Sequence, residues 1–121
     1  MAYDPNNVFA RILRGEIPCT KVHETEHALA FHDIHPQAPV HVLVVPKGAY
    51  ESWADFARDA PPEQIVGFVR AVGETASLLG LEADGYRLLA NVGRLAGQEV
   101  PHLHVHLFAG RPLGPMLAKV G

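Results

Sequence analysis

The chain has 121 residues, 48% hydrophobic and 19% charged, a composition that excludes a disordered segment and predicts a single domain spanning residues 1–121. A formal charge of −3 excludes the broad basic face that a nucleic-acid polymer requires, though a local cationic pocket for a short nucleotide remains compatible with it. The single cysteine, Cys19, excludes an intrachain disulfide framework, and no apolar run approaches the ~18 residues of a spanning helix.

There is no basic-then-apolar leader pattern, so a cytoplasmic protein without a membrane partner is expected. Beyond a polar lead-in, Val8, Phe9, Ile12 and Leu13 fall at helical spacing, with Asn6 or Asn7 as N-cap and Gly15 as the stop. Pro18 prevents that helix from continuing. Residues 21–24 and 28–33 predict a short antiparallel pair turning at 25–27. His23 and His27 fit no pattern and are expected to be solvated. A proline-braced loop over 33–39 leads into an apolar run, 41–46, that suits a central strand buried on both faces and ended by Pro46. His41 stands at its mouth.

Residues 47–59 are mixed, with Trp53 and Phe56 packing a short helical turn. Pro61-Pro62-Glu63 signals a helix start. Ile65, Phe68, Val69, Val72, Ala76 and Leu79 supply its apolar stripe, and Gly80 is its stop. Residues 86–91 predict a strand ending at Asn91, followed by a glycine-containing loop to Val100. The stretch 110–116 is too rich in Gly and Pro for regular structure. The predicted fold class is α+β: an antiparallel sheet of about five strands with one long and one short helix.

The chemistry concentrates in His102-Leu103-His104-Val105-His106-Leu107-Phe108. Strict alternation predicts a β-strand with three imidazoles on one face and Leu103, Val105 and Leu107 in an apolar layer. Three readings of that row compete. The histidines are ordinary surface or core residues, or metal ligands, or an anion site in which one imidazole attacks phosphorus while its neighbours orient it. The row alone does not separate the last two. The preceding Gly97, Gln98 and turn amides are suitable donors for phosphate oxygens.

With these residues laid out, the chain resembles the histidine triad (HIT) proteins, in particular their HINT-like nucleoside phosphoramidase branch. The resemblance rests on the histidine row together with Val8-Phe9-Ala10-Arg11-Ile12, Gly15-Glu16-Ile17-Pro18, Ala30-Phe31-His32-Asp33-Ile34 and Pro36-Gln37-Ala38-Pro39-Val40-His41. Gly85-Tyr86-Arg87, Asn91, Gly97-Gln98 and Gly110-Arg111-Pro112-Leu113 extend it in the right order.

The resemblance implies a purine nucleoside phosphoramidate hydrolase that forms a covalent nucleotidyl-histidine and releases a nucleoside monophosphate and an amine. His104 matches the nucleophile, His106 the phosphate and leaving-group contact, and His102 and His41 the supporting imidazoles. Asn91, Gln98 and the backbone of Glu99 and Val100 match phosphate-side donors. Asp33 matches the ribose carboxylate; Val8, Phe9, Ile12, Ile17, Phe31, His32 and Ile34 match the nucleotide-binding walls. No cofactor and no metal are implied, since Asn7-Val8-Phe9-Ala10 replaces the zinc-binding Cys-x-x-Cys of some bacterial relatives. A homodimer joined edge to edge is implied, with purine nucleotides as partners. Glu99 stands where eukaryotic relatives usually carry Ser, and Gly114-Pro115-Met116-Leu117 stands where the branch commonly ends Trp-Pro-Pro-Gly. The alternatives are a dinucleoside polyphosphate hydrolase of the same superfamily, a non-enzymic nucleotide-binding or scaffold protein, and a zinc enzyme using the row with His41.

Overall fold

The computed structural model describes residues 2–119. In chain order the elements are α1 (Val8–Leu13), β1 (Lys21–Glu24), β2 (Ala28–His32), β3 (Val40–Pro46), α2 (Trp53–Asp59), α3 (Pro62–Leu78), β4 (Arg87–Leu89) and β5 (Val105–Ala109). The five strands form one antiparallel sheet in the order β1-β2-β3-β5-β4.

Local chemistry explains the helix ends. Asn7 caps α1, its side-chain oxygen accepting from the Ala10 amide, and Gly15 leaves the helix at φ +79°. Ser52 and Asp55 form a reciprocal capping box on α2. That signal turns the expected helical turn into a third helix beside the long and the short one. In α3, Pro62 opens the first turn and Glu63 lies at its positive end.

Pleating divides the buried side chains between the two faces of the sheet. Val42, Val44, Val105 and Leu107 join Phe56, Phe68, Val72 and Ala76 in the larger core under α2 and α3. Leu43 and Val45 face the other way, onto Phe9, Leu29 and Phe31 beneath α1. His41 and His106 continue that second face by alternation, so the smaller core becomes the floor of a site.

Two expectations need correction. His23 and His27 are not solvated; they are half-buried against α3. His23 Nε2 lies 2.9 Å from Glu74 Oε1, and the Gln64 amide donates to the His27 carbonyl at 3.0 Å. The helix crosses so closely that a Cβ on Gly67 would fall 2.2 Å from the His27 ring. Likewise β5 begins at Val105, so of the histidine row only His106 lies in the strand. Upstream the ladder is diverted: Pro101 has no amide hydrogen, Leu103 N–H donates to Tyr50 O at 2.8 Å, and the His102 side chain takes the Pro46 carbonyl. Smaller differences shorten β2 and β4 and start β3 one residue early, at Val40. Among the described residues, no helix is long and apolar enough to cross a membrane.

Phe68 is 1% exposed in the larger core, whereas Val66 on the same helix is 50% exposed. Phe68→Ala is therefore expected to cost ~3–5 kcal/mol and Val66→Ala under ~0.5 kcal/mol, read by urea unfolding. Equal costs would misplace the buried face of α3.

Candidate active site

Two adjacent strands build the floor. β3 and β5 pair with His41 opposite Phe108 and Leu43 opposite His106, which sets His41 and His106 diagonally on the α1 face. Their ring centroids are 5.2 Å apart, and His104 lies 5.0 Å from His106 on the other side. Phe9 of α1 packs edge-on over His104 at 4.9 Å.

The hydrogen bonds assign the tautomers of neutral rings. His104 Nδ1 lies 2.7 Å from the backbone oxygen of His102, an atom that only accepts. Nδ1 therefore carries the hydrogen, and Nε2 presents a lone pair. For His41 the order is reversed: its Nδ1 accepts the Gln37 amide at 3.1 Å, so the proton sits on Nε2. That proton is donated to His106 Nδ1 at 2.9 Å, leaving His106 with its own hydrogen on Nε2. Neighbouring rings thus have opposite polarity, a lone pair on His104 Nε2 beside an N–H on His106.

His104 and His106 line a cavity of about 470 Å³. Val8, Phe9, Ile12, Ile17, Phe31, His32 and Ile34 form its wall, together with Pro18, Cys19, His35 and Leu43, which sequence reasoning did not single out. Asp33, Asn91, Glu99 and Val100 also reach it. His41 and His102 do not line it; both are buried behind it, at 2% and 0% exposure.

Gln98 departs from its expected role as a phosphate donor. Its amide nitrogen donates to Glu51 O at 2.7 Å and Val100 O at 3.0 Å, and its oxygen accepts from the Gly93 amide. Both amide hydrogens are spent on stapling the loop before the histidines, so none is left for a ligand. Asp33 combines two roles: Oδ1 accepts the His35 amide at 2.8 Å, as a loop-start residue does, and Oδ2 lies 3.4 Å from His41 Nε2.

Burial keeps these rings neutral. It lowers His102 to about 4 against the pull of the Pro46 carbonyl, and lowers His106 to about 4 with help from His104 and His41. Burial also lowers His104, opposed by its bond to His102 O and by Asp33 and Glu99. His41 is lowered by burial and partly restored by Asp33.

Asp33, His41 and His106 place donor atoms within 4.8 Å of one another, the spacing of a three-ligand metal cluster. The hydrogen-bond polarity opposes that use. A ligating His41 Nε2 would have to shed its proton while Nδ1 still accepts from Gln37, leaving an imidazolate, or else break with Gln37.

The HIT domain family matches residues 14–113. An uncharacterised 13.2 kDa HIT-like protein of Azospirillum brasilense is 67% identical over 117 residues, covering 97% of this chain and 96% of its own. Purine nucleoside phosphoramidase of Escherichia coli is 44% identical over 115 residues, 94% of this chain and 95% of that one. A solved structure of a HIT family hydrolase from Legionella pneumophila superposes with a TM-score of 0.83 at 41% identity, over 90% of this chain and 96% of the other. The chain belongs to the HIT family of hydrolases.

Neutral buried histidines tie stability to pH. Below the ordinary imidazole value of 6.5 the unfolded chain takes up protons that the folded rings refuse, so stability falls as pH drops from 6.5 towards 4. For His102 alone the loss at pH 5.0 is roughly 2 kcal/mol relative to pH 7.5. Denaturant unfolding at the two pH values measures it, and unchanged stability would contradict the neutral, buried assignment.

Proposed function

We propose that this protein hydrolyses purine nucleoside phosphoramidates through a nucleotidyl-His104 intermediate. The observation that carries the reading is the opposed polarity of His104 and His106 at one cavity. His104 Nε2 attacks phosphorus and the P–N bond breaks, the departing nitrogen taking up a proton from solvent to leave as the amine. His106 Nε2–H donates to a phosphoryl oxygen or to the leaving nitrogen, where charge develops. Water then attacks the phosphorus of the intermediate, gives its proton to solvent, and restores the neutral ring as the nucleoside monophosphate departs.

The cavity's other residues fit the remaining parts of such a substrate. Phe9, Ile12, Ile17, Phe31 and Leu43 offer apolar walls to a flat purine. Asp33 keeps lone pairs that suit the two ribose hydroxyls, and Asn91, Glu99 and Val100 line the same cavity, where an amide and backbone N–H groups suit phosphate oxygens. The E. coli relative, a purine nucleoside phosphoramidase, supports the same substrate class. Replacing the nucleophile tests the reading: His104→Asn is expected to lower kcat on adenosine 5′-phosphoramidate by at least ~10³-fold while AMP still binds. Retained turnover would refute the nucleophile. A higher kcat/KM for diadenosine polyphosphate than for the phosphoramidate would move the activity to the other hydrolase class.

We also infer a homodimer in this cytoplasmic reading. Among the described residues the outer edge of β4 is unpaired in the sheet, and beside it Trp53, Val69, Tyr86, Leu88 and Val92 line an apolar cleft of about 600 Å³. Each of these five side chains is 37% exposed or more, an apolar band that a second copy would cover. Leu88→Glu is expected to convert a dimer to a monomer in sedimentation velocity; a monomeric parent protein would overturn the inference.

A further inference from the structure

We propose that Tyr3 is a positioning residue for the reaction, its hydroxyl holding His102 so that the His102 carbonyl aims the nucleophilic nitrogen of His104. The proposal rests on the reading of His104 as nucleophile. It begins from a buried ring with both nitrogens engaged. His102 Nε2 lies 3.0 Å from the Pro46 carbonyl oxygen, so it is the protonated nitrogen. The other nitrogen, Nδ1, is then an acceptor, and the Tyr3 hydroxyl donates to it at 2.6 Å. Asn7 Nδ2 in turn donates to the Tyr3 oxygen at 2.9 Å, fixing the direction of the phenol's own hydrogen.

The relay therefore runs one way, from Asn7 through Tyr3 to His102 and on to Pro46. Asn7 is itself immobilised, since its Oδ1 caps α1 at the Ala10 amide and its Nδ2 also reaches Asp4 O at 2.8 Å. At 0% exposure His102 has no water to replace a lost partner. Its ring is held at one end by the last residue of β3 and at the other by the N-terminal segment. Among the described residues, the same residue's carbonyl is the one hydrogen-bond partner of His104 Nδ1, at 2.7 Å. A shift of residue 102 is thus transmitted to the ring that attacks phosphorus.

Tyr3 does not line the cavity, so it acts on His104 only through His102. Its ring also packs edge-on against His102 at 5.7 Å, a contact that phenylalanine would keep. Removing the hydroxyl alone leaves His102 Nδ1 a buried acceptor without a donor. The Pro46 carbonyl still holds the proton on Nε2, but the ring, now pinned at one end only, is free to turn, which loosens the His102 carbonyl.

The test is Tyr3→Phe, assayed on adenosine 5′-phosphoramidate and by nitrogen-15 NMR of the histidine rings. The expected result is a ~5–10-fold lower kcat with KM and AMP affinity unchanged. His102 is expected to stay Nε2-protonated while its Nδ1 resonance moves downfield, as the hydrogen bond from the phenol is lost. Asn7→Ser, which keeps an N-cap oxygen, is expected to lower kcat ~2–3-fold by releasing the phenol without uncapping α1. An unchanged His102 Nδ1 resonance, an unchanged kcat, or a kcat loss that only tracks a loss of folded protein in thermal melts would overturn the proposal. Failure of the nucleophile reading is separately visible, because His104→Asn would then retain turnover whatever the His102 spectrum reports.

Discussion

The bond from His104 Nδ1–H to the His102 carbonyl decides which nitrogen the site offers to a substrate. An imidazole with its proton on the cavity-facing nitrogen donates and does not attack; turned the other way it is a nucleophile at neutral pH. A backbone acceptor is well suited to this choice because it cannot change its own protonation state. The opposite arrangement at His41, whose Nδ1 receives a backbone amide, passes a hydrogen outward to His106. One backbone oxygen and one backbone amide thus set the polarity of the two cavity rings.

The sheet makes those backbone groups rigid. β5 is bonded on both sides, to β3 and to β4, and its apolar side chains are locked beneath α3. The two cores divide the labour: the larger one supplies most of the burial, and the smaller one, under α1, opens into the cavity. The site forms where the ladder ends. Before Val105 the chain is outside strand geometry, freeing the His102 carbonyl to face a side chain instead of a neighbouring strand.

Desolvation completes the arrangement. Rings in water would be partly protonated near neutrality; buried against Phe9 and the sheet, they remain uncharged and keep their lone pairs. The same burial makes the site costly in acid, since these rings refuse protons that the unfolded chain accepts. Asp33 and Glu99 moderate the effect on His104 without cancelling it.

Much of this was legible in the chain itself. The alternation of His with Leu and Val predicted which side chains face the core, and that division persists even where His102 and His104 lie outside the strand. The helical spacing of α1 and α3, a cap for α1 at Asn6 or Asn7 and a sheet of about five strands were also readable, because period and capping are local properties, whereas the order of the strands in the sheet was not. The Ser52–Asp55 capping box is equally local. Other features had no local signal. Gln98 reads as a ligand donor until its partners at Glu51 and Val100 are seen. His23 and His27 read as solvated until α3 folds over them, and Tyr3 meets His102 across 99 positions of chain. The sequence by itself determined the imidazole row and the faces of its elements, since side-chain direction follows from backbone period. Only the tertiary structure decided which nitrogen of each ring bears hydrogen, because that depends on a partner brought close by the fold.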